Sequence, residues 1–248
     1  MPIPPALPAA TILVVRDAPA GIEVLMVRRH GNSGFAAGAL VFPGGKVDEG
    51  DHALAARCPP GDLLPFRVAA IRETWEEAGI LLARRPGAAH LLDHDDVPNP
   101  RETADFAAAL TRHGFELATV RLRHFAHWIT PEAEPRRFDT QFFIAAAPPG
   151  QQAVADGYET LDCQWIAPTD AIREADAGRA LVVFPTRLNL LKLGRSRDVA
   201  EALDRATNEP VVTVRPDMFN EGSERVIRIA AGAGYDVTEL RYPLRSRE

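Results

Sequence analysis

The residues 72 to 80, which read RETWEEAGI, constrain the fold and the chemistry of this chain more than any other segment. On a helix, Glu73, Glu76 and Glu77 stand three and four residues apart and therefore share one face. The opposite face carries the apolar residues Val68, Ile71, Trp75, Ala78 and Leu82. We predict an amphipathic helix from about Pro65 to Ala83 with its acids directed away from the core. Because like charges this close repel one another, the triplet indicates a hard divalent cation as its partner.

An acidic helix face also has an ordinary explanation, since most charged runs only solvate the surface of a helix. The preceding residues 41–51, VFPGGKVDEGD, favour the metal site. They read as the end of a strand, a turn permitted by Gly44 and Gly45, and an acidic loop. Strand, loop and helix are expected to form one unit.

Together these residues resemble the Nudix box, whose family pattern is G-x5-E-x7-R-E-U-x-E-E-x-G-U, with U an aliphatic residue. The second half of the pattern matches at Arg72, Glu73, Glu76, Glu77, Gly79 and Ile80. Thr74 departs from it, because the family has an aliphatic residue there. The first half fits if Gly45 is the family glycine, which puts Asp51 in the place of a glutamate one methylene longer. Asp51 is then either an additional ligand or an acid that supports the ligands.

The box is interrupted in this chain. Twenty residues, 52 to 71, separate Asp51 from Arg72, whereas the family pattern has seven. The insertion, about 52–64, contains Cys58-Pro59-Pro60-Gly61, which cannot continue a helix and predicts a surface excursion. An interrupted box resembles the branch that includes the peroxisomal coenzyme A and acyl-CoA diphosphatases. The coenzyme A signature of that branch is only partly met, because residues 25–30 cover its start while Gly34 stands where a second arginine is expected.

This resemblance implies an enzyme, a Mg²⁺-dependent Nudix hydrolase that cleaves the diphosphate linkage of a nucleoside diphosphate derivative, with Mn²⁺ as an alternative to Mg²⁺. Coenzyme A or an acyl-CoA is the first choice of substrate, giving adenosine 3′,5′-bisphosphate and (acyl-)phosphopantetheine. ADP-ribose, a dinucleotide or a nucleoside triphosphate remains an alternative substrate. A catalytically silent fold that binds a nucleotide as a sensor is an alternative of another class.

The resemblance also assigns roles to particular residues. It implies metal ligation by Glu73, Glu76 and Glu77, with the Gly45 backbone beside the metal, and a bracing role for Arg72. Glu159, six residues before Trp165, is expected to be a further ligand, the base that takes a proton from water, or only a solvated loop acid. The residues expected to contact the substrate are Arg29, Phe35, Gly44, Gly45 and Arg137. His124, His127, Trp128 and Trp165 are interpreted as structural residues.

The pattern of the whole chain predicts the α/β (α+β) class, as an α/β/α sandwich with a mixed sheet. Residues 11–15 and 22–28 read as a hairpin, and residues 121–130 and 140–147 as further strands. Residues 101–113 predict a second helix, and a later one is expected to be capped by Thr169 or Asp170. We divide the chain into a Nudix domain at 10–180, with its box at 45–80, and a C-terminal helical and β extension at 181–248 packed on the core.

Composition restricts the partners. The chain of 248 residues has a formal net charge of -6, which argues against broad nucleic-acid binding. It has no apolar run of the ~20 residues that span a bilayer, and residues 1–5 lack the features of a signal peptide. Its two cysteines indicate free thiols in a reducing compartment. We therefore expect a cytoplasmic enzyme with a small-molecule nucleotide substrate and no membrane partner, and a homodimer by analogy with the superfamily.

Overall fold

The structure, a computed structural model, describes residues 3–30, 37–103, 105–158 and 160–243. It contains both strands and helices, as the predicted α/β (α+β) class requires. The strands are β1 Leu7–Ala18, β2 Gly21–Arg29, β3 Leu40–Val41, β4 Gly44–Lys46, β5 Ala83–Arg84, β6 Glu116–Leu117, β7 Arg123–Ile129, β8 Phe138–Ala146, β9 Thr160–Ile166, β10 Thr213–Val214, β11 Asp217–Glu221, β12 Glu224–Arg228 and β13 Glu239–Pro243. The helices are α1 Glu49–Ala55, α2 Leu64–Ala78, α3 Phe106–His113, α4 Pro168–Asp176, α5 Phe184–Leu193 and α6 Val199–Asn208, with single 3-10 turns at His94–Asp96 and Thr119–Arg121.

The central sheet is mixed, as predicted. Its strand order is β10-β7-β8-β1-β2-β3, with β4 beside the first half of β1 and β9 on the other edge of β2. The neighbours β1 and β8 run parallel, as do β7 and β10, whereas β1 and β2 form the predicted antiparallel hairpin. Two smaller sheets, β5-β6 and β11-β12-β13, lie outside it.

The two faces of the sheet carry separate apolar layers. Alternate residues of β1 divide between them, because successive side chains of a strand point to opposite faces. Ile12 and Val14 belong to the layer that includes α2, whereas Leu13 and Val15 belong to the layer that includes α5 and α6. This arrangement is the predicted sandwich of helices on both faces of one sheet.

Helix α2 is shorter than the sequence predicts. It begins one residue before the expected Pro65, but it ends at Ala78 rather than at Ala83. Gly79 stops it by taking a left-handed conformation with φ +67°, in which its N–H donates to the Trp75 carbonyl. Leu82 therefore lies beyond the helix, although it is buried in the same apolar layer.

The interruption of the box is partly helical, which corrects the prediction of a surface excursion. Helix α1 runs across its start, from Glu49 to Ala55. Asp48 caps this helix, and the Asp48 and Asp51 side chains each accept the other's backbone N–H in a capping box. Leu54 is buried in the apolar layer beside α2, so the insertion contributes to the core.

Several boundaries also differ from the predicted ones. Helix α3 begins at Phe106 rather than Arg101, because Asp105 is its cap. Helix α4 begins after Ala167 with no side-chain cap, so neither Thr169 nor Asp170 holds the predicted position.

The C-terminal segment packs against the central sheet. Helices α5 and α6 cover the face opposite α2, and β10 extends the sheet beyond β7. Trp128 of β7 donates its indole N–H to the Tyr235 hydroxyl at 2.9 Å, and that hydroxyl donates to Asn189 of α5 at 2.8 Å. In the described part of the chain, no helix combines the length and the hydropathy needed to cross a bilayer.

Candidate active site

Two of the three glutamates of α2 contact the guanidinium of Arg72. Its Nη1 donates to Glu73 Oε1 and to Glu76 Oε2, both at 2.8 Å. Two carboxylates of the predicted triplet therefore lie at the same distance from a single cationic atom. The Glu73 side chain is 13% exposed and that of Glu76 is 41% exposed, so the pair borders solvent.

Asp51 holds the other edge of the same guanidinium. Its two oxygens accept from Nε and Nη2 of Arg72, both at 2.9 Å, in the paired geometry that makes arginine-carboxylate contacts strong. The Lys46 carbonyl accepts a further bond from Nη2 at 2.9 Å. Asp51 is fully buried and has both oxygens engaged, so it supports Arg72 rather than adding a metal ligand.

These contacts perturb the ionisation of the cluster. Burial by itself would lower the pKa of Arg72, but its hydrogen bond to Asp51 and the charges of Glu73, Asp51 and Glu76 raise it above the usual value. Burial raises the pKa of Glu76, although the charge and hydrogen bond of Arg72 oppose that change. The guanidinium thus stays charged among the carboxylates that it positions.

Glu77 departs from the expectation that all three acids face away from the core. It is only 3% exposed, and its Oε2 accepts the Gly44 backbone N–H at 3.0 Å. Position 77 therefore joins α2 to strand β4, across the loop that the sequence predicted to lie beside the acids.

Gly45 allows Glu73 to approach the same strand. A Cβ added to Gly45 would collide with the Glu73 carboxylate, lying 2.6 Å from Oε2. At Gly44 an added Cβ would collide with the Ala10 carbonyl and lie 2.8 Å from Thr11 Cα. The two glycines are required for different reasons. Gly45 leaves room for the Glu73 side chain, and Gly44 leaves room for the neighbouring strand β1.

Thr74, the departure from the family pattern, is accommodated in the core. It is fully buried, and its hydroxyl donates to the Ala70 carbonyl of the preceding turn at 2.6 Å. The hydroxyl is therefore satisfied without disturbing the glutamates on either side.

No cluster of three histidine, cysteine or acidic side chains in the described part of the chain is arranged as a ready metal site. The reason is local, because Glu73 and Glu76 are turned to Arg72 while Glu77 is turned to Gly44. The donor set nevertheless fits a hard divalent cation, since it consists of carboxylates on one helix face. Oxygens of two of them already lie 2.8 Å from one cationic nitrogen.

A cleft of about 590 Å³ opens beside this cluster. Arg72, Glu73, Gly44 and Gly45 line one part of it, so the predicted box residues and the cavity coincide. Phenylalanines 42, 138 and 142 line another part, together with Val183 and Pro185 from the C-terminal segment. The cleft thus combines an end lined by charged side chains of both signs with an apolar wall.

The structure brings only some of the predicted substrate residues to this cleft. Arg29 lines it, and the Arg29 Nε is buried without a hydrogen-bond partner among the described residues. Arg137 does not line it, because its guanidinium donates to the carbonyls of Thr130 and Pro4 at 3.1 and 2.7 Å. Its neighbour Arg136 lines the cleft instead. Phe35 and Glu159 lie outside the described residues, and their assigned roles stay predictions.

The structure adds residues that the sequence reasoning did not place in the site. Lys46 and Arg136 supply positive charge to the cleft, and neither forms an ion pair with a described residue. Position 46 could have been found, because it follows Gly45 directly. Val183 and Pro185 carried no signal, since their place depends on the folding of the C-terminal segment.

The remaining candidates have structural partners. His124 Nε2–H donates to Gln141 Oε1 at 2.8 Å, and burial lowers the pKa of His124. His127 contacts Asp139 at 2.6 Å and Thr213 at 2.7 Å, which supplies the acidic partner that the sequence did not show. Both histidines stand on β7, and neither lines the cleft beside the glutamates.

A search against family models returns the NUDT19 Nudix domain, matched at residues 52–193. The match includes α2 and ends with the last residue of α5. Among solved structures, a Nudix hydrolase from Alicyclobacillus acidocaldarius is similar, with 30% sequence identity and a TM-score of 0.74. That similarity covers 84% of this chain and 100% of the other.

Two relatives are named acyl-coenzyme A diphosphatase NUDT19. The protein from Gallus gallus is 28% identical over 235 residues, covering 71% of this chain and 62% of the relative. The protein from Homo sapiens is 26% identical over 206 residues, covering 61% of this chain and 55% of the relative. The match therefore spans less than two thirds of the length of either relative.

Proposed function

This chain belongs to the Nudix hydrolase family, in the branch of the NUDT19 Nudix domain, and we propose that it hydrolyses the diphosphate linkage of coenzyme A or acyl-CoA with the help of Mg²⁺. The expected products are adenosine 3′,5′-bisphosphate and (acyl-)phosphopantetheine. The names of the relatives and the interrupted box support the choice of substrate. Mn²⁺ is expected to substitute for Mg²⁺.

The observation that carries this proposal is the position of Glu73 and Glu76 around one nitrogen of Arg72, next to a cleft that Arg72 and Glu73 line. A group of carboxylates that only solvated a helix would not need a fully buried aspartate to fix its arginine. Asp51 provides that fixation, through two bonds of 2.9 Å. The acids are therefore positioned before any ligand arrives, as catalysis by preorganised charge requires.

The residues of this chain divide the work of the reaction. Glu73, Glu76 and Glu77, with the Gly45 backbone beside them, would hold the divalent cation. When bound, such a cation offsets the charge of phosphate oxygens and makes water more acidic. Arg72 keeps Glu73 and Glu76 together, and the Gly44 N–H fixes Glu77. Arg29, Lys46 and Arg136 supply positive charge to the cleft for an anionic substrate.

The chemical change is a hydrolysis. The oxygen of water forms a bond to one phosphorus, and the bond from that phosphorus to the bridging oxygen breaks. The bridging oxygen leaves on the other phosphate, and the protons of water are released to the medium or to a carboxylate. No covalent link between the protein and the substrate is required.

A panel of diphosphates tests the proposal. Turnover of coenzyme A, octanoyl-CoA, ADP-ribose and NADH is measured with and without Mg²⁺, and the products are identified by mass spectrometry. We expect cleavage of the two coenzyme A compounds and loss of activity with a chelator. Efficient cleavage of ADP-ribose or NADH with no coenzyme A turnover would refute the choice of substrate.

Substitution of Glu76 tests the metal site itself. Glu76→Gln removes one charge from a half-exposed side chain, and we expect turnover to fall by at least 100-fold, or about 2.7 kcal/mol of barrier, while the fold is retained. Glu174→Gln is the matched control, because Glu174 of α4 is also a helix glutamate that pairs with an arginine, Arg179, and it does not line the cleft. Unchanged turnover in Glu76→Gln would refute the proposed metal mechanism. A sensor with no activity would show nucleotide binding and no product in any reaction.

A further inference from the structure

The floor of the cleft lies on the face of the sheet that is opposite α2. Strands β1 and β8 pair in parallel, with Thr11 opposite Phe142 and Leu7 opposite Phe138. Thr11 stands two residues from Leu13, so both point to the face that α5 and α6 cover. Of the three glutamates, Glu73 lines the cleft, beside the glycines of β4, whereas the aromatic floor belongs to the other face of the sheet.

The C-terminal segment forms one side of the cleft, next to this floor. Its Leu181 carbonyl accepts the Leu40 N–H at 2.8 Å, which holds the segment beside strand β3. Val183 and Pro185 follow, lie partly exposed and line the cleft at the start of α5. The segment thus closes one side of a cavity whose catalytic end is built from the Nudix box.

Buried polar contacts fix the position of α5. Asn189 is fully buried and accepts from the Tyr235 hydroxyl at 2.8 Å. Lys192, whose pKa is lowered by burial, donates to the Phe125 carbonyl at 2.9 Å and lies 4.7 Å from the Phe125 ring centroid. Helix α5 is therefore joined to β7 directly through Lys192 and indirectly through Tyr235, which contacts Trp128.

The chemistry of this wall suits a hydrocarbon group. Phe42 is 3% exposed and Phe142 is 6% exposed, so little of either ring is open for stacking a base. Val183 and Pro185 add aliphatic surface and no aromatic face. A saturated chain gains from such contacts through the removal of apolar surface from water.

We propose that Val183 and Pro185 of the C-terminal segment, together with the phenylalanines of the cleft floor, form an apolar subsite for the acyl group of the substrate. This inference rests on the proposed function, because it selects acylated over free coenzyme A. The C-terminal segment then determines specificity, while the glutamates of α2 perform the chemistry.

Val183 permits a substitution that changes the wall and preserves the helix. It is the N-cap residue of α5, and its side chain makes no capping hydrogen bond. Asparagine is among the best N-cap residues, so Val183→Asn introduces a polar group into the cleft with no expected loss of stability. Val212→Asn is the matched control, because Val212 is exposed in the same C-terminal segment and does not line the cleft.

The test is calorimetric binding of octanoyl-CoA and of coenzyme A in the presence of a chelator, with thermal unfolding of each variant. We expect the native chain to bind octanoyl-CoA about tenfold more tightly, or about 1.4 kcal/mol. This preference should fall at least threefold in Val183→Asn, with no decrease of Tm, and stay unchanged in Val212→Asn. Equal affinities in the native chain, or an unchanged preference in Val183→Asn, would overturn the subsite.

The same experiments distinguish a failure of the proposed function from a failure of the subsite. If octanoyl-CoA binds with the expected preference but neither compound is cleaved with Mg²⁺, the hydrolase assignment is refuted and the subsite stands. If both compounds are cleaved but bind equally, the subsite is refuted and the hydrolase assignment stands. A loss of affinity for both compounds by the same factor in Val183→Asn would place the nucleotide, and not the acyl group, against this wall, and would overturn the subsite.

Discussion

The substitution Asp51→Asn should destabilise the protein strongly, although it removes only one charge. The Asp51 side chain is fully buried and the Arg72 side chain is 12% exposed, so solvent screens their contact little. Two bonds of 2.9 Å join them. An asparagine keeps one acceptor and turns an amide N–H₂ towards the guanidinium. Breaking a buried pair in this way costs about 3–5 kcal/mol, a large part of the stability of a typical domain.

Urea unfolding measures this cost. With a slope of about 3 kcal/mol per M, the midpoint should fall by about 1–1.7 M. Asp48→Asn is the control, because Asp48 is 59% exposed, lies 3.8 Å from the guanidinium, and can be replaced as an N-cap by asparagine at a cost of less than about 0.5 kcal/mol. A loss below about 1 kcal/mol for Asp51→Asn would show that Asp51 does not fix Arg72.

Three further predictions concern other parts of the fold. Gly45→Ala should displace the Glu73 carboxylate and lower turnover at least tenfold with little change of Tm. Gly44→Ala should instead lower Tm by several degrees, because its Cβ meets backbone. If turnover and melting assays showed the larger loss of Tm in Gly45→Ala and the larger loss of turnover in Gly44→Ala, this account would be contradicted. Tyr235→Phe should cost about 2 kcal/mol in urea unfolding, since it leaves a buried indole N–H and amide oxygen unpaired; a cost below 0.5 kcal/mol would count against that network. Burial raises the pKa of Cys163 to about 12, so unfolding releases a proton above pH 9, and the free energy of unfolding should fall as pH rises from there. In Cys163→Ala the fall of this free energy with pH should be shallower. An identical pH dependence in the two proteins would disprove the contribution of Cys163.

The sequence predicted the parts of the fold that depend on local patterns. The hairpin of β1 and β2 and the start of α2 follow from alternation, turn residues and helical spacing, and the structure confirms them. The end of α2 was wrong because the apolar run 80–82 continued the helical pattern beyond Gly79. The glycine, with its left-handed conformation, outweighed that pattern.

Other features depend on contacts that a local pattern does not contain. Helix α1 is only one turn longer than its capping box, and Asp48 and Asp51 were interpreted as a loop because the proline pair that follows dominated the prediction. The site was predictable at Arg72 and the three glutamates, which lie within six residues. The apolar wall of the site was not predictable, because Val183 is held at the cleft by a contact between Leu181 and Leu40, which are far apart in the sequence.

The central sheet keeps the two halves of the cleft apart. Its α2 side supports the acids, and its other side supports the apolar wall, and the two glycines of β4 lie where the halves meet. Exchanging the residues at 183–186 for those of another chain would therefore leave the packing of α2 untouched. A protein built in this way can acquire a new ligand preference by substitution in one layer, while the layer that carries the reaction stays constant.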